Sequence, residues 1–301
     1  MNEENLYQRI KANLENNLHI LEDKPEETVD SSLKALWLMA GGIYKSADEA
    51  LSLPLPNLTT QQVIKLNQLI NERLSGKPLA YITGRQSFMG IELSCNDKAL
   101  IPRKETEILG KKALEIGQKI ANKKCEIKVF DVCCGSGNLG VAVAHFIPNA
   151  EVFASDYSAD AVTLAQENVF SLNLAQRVHV CQSDLFAAFE NGGYDRKIDL
   201  IICNPPYISS SKVGKLHTEI SMNEPAMAFD GGMLGTKIIQ RLIREASKFL
   251  TKEGWAAFEV GIGQGSFLIQ IIEKTNLYDH IESVNDDHGN IRVICMHPKS
   301  E

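Results

Sequence analysis

Asp131-Val132-Cys133-Cys134-Gly135-Ser136-Gly137-Asn138-Leu139-Gly140 is the stretch that decides the fold. The apolar run 127–131 ahead of it predicts a short buried strand, and 139–146 behind it predicts an apolar helix. Gly135, Gly137 and Gly140 match G-x-G-x-x-G, a strand-to-helix turn in which glycine lets the backbone fold sharply and approach a ligand. Working outward, 151–155, 178–181, Ile198–Cys203 and 255–260 read as further strands, with helices over 159–172 and about 236–250. Strands alternating with helices predict a parallel sheet covered on both faces. The tail differs: 280–284 and 291–296, joined by the turn-rich segment 285–290, predict an antiparallel hairpin that closes the sheet.

Towards the N-terminus the pattern is helical. Leu33, Leu36, Trp37 and Met39 recur close to helical spacing, and Gly41-Gly42 ends that segment. Pro54 and Pro56 mark a loop; Asn57-Leu58-Thr59-Thr60 then offers caps for a helix carrying Val63, Leu66, Leu69, Ile70 and Leu74, which Ser75-Gly76-Lys77-Pro78 stops. Between 79 and 101, Gly84 and Gly90 punctuate runs of β-formers, which predicts a hairpin. Pro102 is expected to open a new helix with Glu105 and Glu107 in its first turns. The organisation predicted is therefore a helical domain over 1–77, a β-hairpin connector over 78–101 and an α/β domain over 102–301.

The 301 residues fit about two domains at the usual ~100–200 residues each. With 44% hydrophobic and 23% charged residues the composition is globular. Thirty-one Lys+Arg against 38 Asp+Glu give −7, which argues against stable binding to nucleic acid phosphates. No apolar run approaches the ~20 residues of a membrane span, so no membrane partner is expected. A polar, acidic N-terminus and seven cysteines without C-x-x-C pairing predict a cytoplasmic protein with reduced thiols. Seven histidines without H-x-x-x-H spacing predict no metal site.

Asp156 follows the glycine loop at the end of the next predicted strand, where a carboxylate accepts hydrogen bonds from ribose hydroxyls. This arrangement suits a dinucleotide or S-adenosylmethionine equally, and a glycine turn without a ligand also fits. Asp184, at the end of the third strand, is either an acceptor for an adenine amino group, with Leu185 or Phe186 against the ring, or a helix cap.

Asn204-Pro205-Pro206-Tyr207 separates these readings. A planar amide nitrogen is a poor nucleophile because its lone pair is delocalised. The Asn204 side-chain oxygen and the Pro205 carbonyl offer two acceptors for its N–H hydrogens, the prolines stiffen the loop, and Tyr207 supplies a flat wall. Held so, the nitrogen faces a sulfonium methyl by positioning and electrostatics, without a strong base. The glycine loop followed by this tetrapeptide predicts an S-adenosylmethionine-dependent N-methyltransferase.

The tetrapeptide also occurs in DNA adenine methyltransferases, so further residues must indicate the substrate. Gly76-Lys77-Pro78-Leu79-Ala80-Tyr81-Ile82-Thr83-Gly84, Phe88-Met89-Gly90 and Ile101-Pro102-Arg103-Lys104-Glu105-Thr106-Glu107 resemble the segment before the catalytic domain of the HemK/PrmC family. Asn223-Glu224-Pro225, Asp230-Gly231-Gly232, Glu259-Val260-Gly261-Ile262-Gly263-Gln264 and Gly289-Asn290-Ile291-Arg292-Val293 continue the resemblance. The resemblance implies a Rossmann-like α/β methyltransferase domain with an antiparallel last strand, a small N-terminal helical domain gripping a protein substrate, and a hairpin connector. It implies methylation of the glutamine of the Gly-Gly-Gln motif in peptide-chain release factors. A diverged enzyme acting on a ribosomal-protein glutamine or a small amide or amine is the alternative.

Asp131, Cys133, Gly135, Gly137, Asp156, Asp184, Leu185 and Asn204 fall at the expected cofactor positions, and Asn204, Pro205, Pro206 and Tyr207 at the expected substrate and catalytic positions. Three residues depart from the family pattern: Cys133 stands where glycine is common, Lys104 where proline is frequent, and Ser87 where an acidic residue is common. Arg103 and Glu105 read as a salt bridge or cap as readily as ligand contacts, Glu259 as a buried hydrogen-bonding group, and Cys133 and Cys134 as packing residues.

Overall fold

A computed structural model describes residues 3–299. In chain order its elements are α1 (Glu3–Asn17), α2 (Val29–Ala40), α3 (Ala47–Ser52), α4 (Thr60–Leu74), α5 (Leu79–Thr83), β1 (Arg85–Phe88), β2 (Ile91–Ser94), α6 (Glu107–Ala121), β3 (Ile127–Val132), α7 (Asn138–Phe146), β4 (Ala150–Asp156), α8 (Ala159–Ser171), β5 (Val178–Gln182), β6 (Ile198–Cys203), α9 (Ser210–Val213), α10 (Thr218–Asn223), α11 (Lys237–Phe249), β7 (Leu250–Glu259), α12 (Gly265–Thr275), β8 (Tyr278–Asn285) and β9 (Ile291–Pro298).

The chain divides into two compact units. The first takes the chain through Asp97, together with Ile101–Lys104 and His217–Glu224. Its helices start where the sequence supplies caps. Thr28 and Ser31 close a capping box on α2, and Thr59 and Gln62 close one on α4. Leu33, Leu36, Trp37 and Leu38 of α2 are buried against Leu66, Leu69 and Ile70 of α4 and Leu6, Ile10 and Leu14 of α1. The hairpin β1–β2 belongs to this unit, preceded by α5, a short helix where the sequence predicted only β-formers. Pro78 starts that helix, and Gly84, in the left-handed region, ends it.

A buried charge cluster anchors α10 in the same unit. Arg73 reaches Glu219 and Glu27 at 2.8 Å each, and Lys24 reaches Glu219 at 2.7 Å. Burial pushes the Glu27 carboxyl up. Burial also acts on Glu219, but the neighbouring Arg73 and Lys24 charges win and hold it below its ordinary value. Two cations and two carboxylates make the cluster neutral, and removing one member from such a cluster costs about 3–5 kcal/mol. Nearby, Arg103 binds Asp23 and Glu224, and Glu224 accepts from the Ile101 backbone N–H. Those bonds hold 101–104 as non-helical chain. The expected helix therefore starts at Glu107, not Pro102, and Glu105 lies in the turn before it.

The second unit takes Lys98–Leu100, Glu105–Leu216 and the chain from Pro225 onward. Its sheet has seven strands in the order β5-β4-β3-β6-β7-β9-β8. The strands β3 to β7 pair in parallel, β9 runs antiparallel to β7, and β8 pairs antiparallel with β9 at the edge. This is the Rossmann-like methyltransferase arrangement with an antiparallel last strand. All six residues of the central strand β6 are buried, as a parallel strand covered on both faces requires. Phe130 of β3 stacks on Phe189 at 4.3 Å between centroids and lies edge-on to Phe249.

In this register Val132 faces Cys203, and Cys203 faces Phe258. The loops after β3, β6 and β7 therefore leave the same edge of the sheet side by side. In open α/β sheets that edge carries the ligand crevice.

Candidate active site

The glycine loop turns between β3 and α7. Cys133, Gly135 and Gly137 all adopt left-handed backbone, at φ 59°, 54° and 80°. Cys133 thus occupies a glycine-like conformation with a Cβ present, which costs about 1 kcal/mol. Asp131 is fully buried at the end of β3. Its Oδ2 accepts from the Gly140 N–H at 2.8 Å, while Oδ1 is buried without a partner. Burial, opposed by the Gly140 bond and aided by the Asp156 charge, pushes Asp131 up to about 7. Asp156, at the end of β4, accepts from the Gly135 and Ser158 N–H groups at 2.9 Å each. Burial raises its carboxyl too, against those bonds.

At the end of β5, Asp184 is half-exposed and paired with Arg241 at 2.7 Å. The adjoining turn is capped by the Ser183 hydroxyl, which accepts from Ala188 N–H. Phe186 is buried in the core, 5.0 Å from Phe249 between ring centroids, and Leu185 is buried in the same cluster. Leu185 is itself held at φ 51°, and its carbonyl accepts from the buried Ser155 hydroxyl.

The Asn204–Tyr207 loop is clamped from several directions. Asn204 Nδ2 donates to the Thr106 hydroxyl at 3.1 Å. The Tyr207 phenol donates to Glu259 Oε1 at 3.0 Å, and the Tyr207 carbonyl accepts from Gln264 Nε2 at 2.9 Å. Arg292 bridges Glu105 at 2.8 Å and Glu259 at 3.5 Å. Burial pushes the Glu259 carboxyl up, against hydrogen bonding from Thr106, the Arg292 charge and the Tyr207 phenol. Burial and the Glu259 charge push the Tyr207 phenol well above its ordinary value, so it stays a protonated donor.

Two glycines admit the loop: a Cβ on Gly235 would come within 2.2 Å of the Tyr207 carbonyl oxygen, and one on Gly231 within 2.5 Å of the Pro206 carbonyl oxygen. Burial raises the thiols of Cys134 and Cys203 far above the range of a reactive cysteine, in keeping with packing roles.

The sheet edge thus gathers Asp131, Cys133, Gly135, Gly137, Asp156 and Asn204–Tyr207 on neighbouring strand ends, with Asp184 and Leu185 one strand further out. Arg103 belongs to the charge network of the first unit. Thr106, Arg292, Gln264, Gly231 and Gly235 carry the clamp. The quoted motifs contain all but Gly235, yet nothing local in the sequence gives them a role.

Two family models match the chain: a PrmC N-terminal domain over residues 20–84 and a methyltransferase small domain over residues 114–234. A release factor glutamine methyltransferase of Moorella thermoacetica is 33% identical over 235 residues, 78% of this chain and 80% of that protein. One from Geobacter sulfurreducens is 31% identical over 274 residues, 88% of this chain and 89% of that protein. The chain belongs to the release factor glutamine methyltransferase family. The fold of this family member also resembles the human Mettl16 catalytic domain, solved in complex with a MAT2A 3'UTR hairpin. The TM-score is 0.56 at 11% identity, with 82% of this chain and 85% of that chain covered. Among the described residues of this methyltransferase no three His, Cys, Asp or Glu side chains gather into a group fit to hold a metal ion, and no helix is long and apolar enough to cross a membrane.

Proposed function

We propose that this chain transfers a methyl group from S-adenosylmethionine to the side-chain amide nitrogen of the glutamine in the Gly-Gly-Gln motif of peptide-chain release factors, in the cytoplasm. The observation that carries the reading is the Asn204–Tyr207 loop, clamped at side chain and backbone beside a glycine loop, in a chain related to these enzymes over most of its length.

The residues present suit the cofactor. Asp131 Oδ1 is a buried acceptor lacking a donor, which the cofactor's cationic amino group satisfies. Asp156 keeps lone pairs free beyond its two backbone bonds, and these suit ribose hydroxyls. The left-handed backbone at Gly135 and Gly137 and the space beside Gly135, where a Cβ would meet nothing within 4 Å, leave room for close approach. Cys133 lines the same turn, Leu185 walls the adenine, and Asp184, steadied by Arg241, accepts from its amino group. When bound, S-adenosylmethionine supplies an electrophilic methyl on a sulfonium.

The chain's residues do the rest. Asn204 Oδ1 and the Pro205 carbonyl accept the two N–H hydrogens of the substrate amide, Pro206 fixes the loop direction, and Tyr207, tied to Glu259, forms the wall. With its hydrogens so held, the nitrogen presents its lone pair to the methyl; as the N–C bond forms the methyl–sulfur bond would break, leaving a neutral thioether, and the nitrogen would give up one proton to water. The catalytic contribution is orientation and electrostatic complementarity.

The test is methyl transfer from labelled S-adenosylmethionine to a release factor and to its Gly-Gly-Ala variant, with mass-spectrometric mapping. Label on the glutamine of the wild-type factor alone is expected. Label on neither, with cofactor still bound, would move the substrate elsewhere.

A further inference from the structure

Met233, Leu234 and Ile262 are 85%, 64% and 65% exposed. Apolar side chains exposed singly are ordinary on a protein surface, but these stand on two adjoining turns beside the Asn204–Tyr207 loop. We propose that the three form an apolar docking rim for the substrate protein, seating apolar side chains of the release factor next to its Gly-Gly-Gln segment.

The two turns are built alike. The Gly235 N–H donates to the Gly232 carbonyl at 3.0 Å, so Met233 and Leu234 are the tip of one four-residue turn. The Gln264 N–H donates to the Gly261 carbonyl at 3.0 Å, so Ile262 and Gly263 are the tip of the other. Turn tips favour Gly, Pro, Asn, Asp and Ser, which supply the backbone conformation or local hydrogen bonds. Here glycines supply the conformation, Gly232 at φ 86° and Gly263 at φ 83°. Met, Leu and Ile add nothing to the turns and bury little in the free chain. Their apolar surface contributes only when a partner covers it.

One side chain fixes both turns against the substrate loop. Gln264 Nε2 lies 2.9 Å from the Tyr207 carbonyl oxygen, 3.5 Å from that of Leu234 and 3.4 Å from that of Gly235. Its Oε1 accepts from the Gly261 N–H at 2.9 Å. The rim is therefore continuous with the backbone of Tyr207, and a protein that presents an amide to that loop comes up against it.

The occupant follows from the chemistry of the target. Two glycines precede the accepting glutamine and offer no side chain, so the substrate has to be held through groups outside that segment. Uncharged apolar tips complement apolar groups of the same protein. A free amide or amine is too small to cover side chains on two turns, and a second copy of this chain seated there would obstruct the loop.

The inference rests on the release factor as substrate, and the experiment reads turnover and binding separately. It compares wild type, the triple variant Met233→Ser/Leu234→Ser/Ile262→Ser and the apolar swap Met233→Leu/Leu234→Met/Ile262→Leu. Each is assayed in steady-state methyl transfer to the intact release factor and in calorimetric titration of that factor into enzyme loaded with the demethylated cofactor. A surface that holds substrate and transition state alike changes KM and leaves kcat. The serine variant is expected to raise KM and the release-factor Kd about 10- to 100-fold, with kcat and cofactor Kd within about twofold. The apolar swap is expected within about threefold of wild type on every constant. Phe170→Ser, at an exposed apolar residue of α8, is expected to change none of them.

Unchanged KM and Kd in the serine variant, with the wild type labelling the factor, would overturn the docking rim and leave the functional reading standing. Binding weakened in the serine variant, with no label on the factor from any variant, would overturn the functional reading alone. A wild type that neither binds nor labels the factor would overturn both. A wild type that sediments as a dimer and a serine variant that sediments as a monomer, with factor binding unchanged, would give the surface to a second copy and overturn the proposal.

Discussion

Two sets of buried carboxylates stand at one edge of the sheet and are treated in opposite ways. Asp131 and Asp156, at the ends of β3 and β4, receive only backbone N–H groups, face no cation among the described residues, and leave one oxygen of Asp131 without any partner. Glu259, at the end of β7, also leaves one oxygen without a partner, but its other oxygen receives the Tyr207 phenol and the Arg292 charge. Burying a carboxylate without compensation is costly, so an undersupplied pair is a place where something else is meant to bind. A carboxylate tied to a phenol and a cation instead organises its own protein. Under the proposed function the comparison divides the labour: Asp131 and Asp156 would hold the cofactor, and Glu259 the loop that orients the substrate.

The contrast can be broken at either end. The largest effect is expected at the loop: Asn204→Ala should lower kcat about 10²- to 10³-fold in steady-state methyl transfer, the loss typical of a removed orienting group. Retention of most turnover would mean that the Pro205 carbonyl alone orients the amide.

Next is the undersupplied side. Asp131 is raised from an unfolded value of about 3.9 to about 7 in the folded chain. A carboxyl raised in this way contributes stability that is fully present below about pH 4 and is lost as pH rises through about 7. Asp131→Asn has no charge to bury. It should therefore gain stability relative to wild type between pH 5 and pH 8, by an amount on the order of a few kcal/mol in urea unfolding, while binding cofactor less tightly. A pH-independent difference would show that Asp131 is ionised in the free enzyme throughout.

The smallest effect is at Cys133. Replacing it with glycine removes the left-handed strain of about 1 kcal/mol but also removes its side-chain packing and loosens the unfolded chain. A net gain below about 1 kcal/mol is expected in urea unfolding. A loss larger than that would mean that the thiol packing outweighs the strain.

Much of the α/β unit is legible in the sequence because each strand is a short apolar run ended by a turn. Residues 127–131 fall one residue short of β3 at its end, 151–155 fall one residue short of β4 at each end, and Ile198–Cys203 matches β6. The glycine loop and Asn204–Tyr207 are legible because their chemistry is local. What escapes is what depends on distant partners. The start of α6 is displaced to Glu107 because Arg103 answers to Asp23 and Glu224 rather than to a helix. The residues 217–224 join the helical unit because Glu219 meets Lys24 and Arg73, 195 and 146 positions away. Thr106 and Arg292 acquire their roles in the same way, through Asn204 and Glu259.

The most direct test of the division of labour is a calorimetric titration of S-adenosylmethionine into Asn204→Ala and Asp156→Ala side by side. Removing a charged hydrogen-bond acceptor is expected to weaken cofactor binding by Asp156→Ala about 10- to 100-fold, whereas Asn204→Ala should stay within about threefold of wild type. Equal losses of affinity in the two variants would contradict the account, because Asn204 would then be holding the cofactor rather than orienting the substrate.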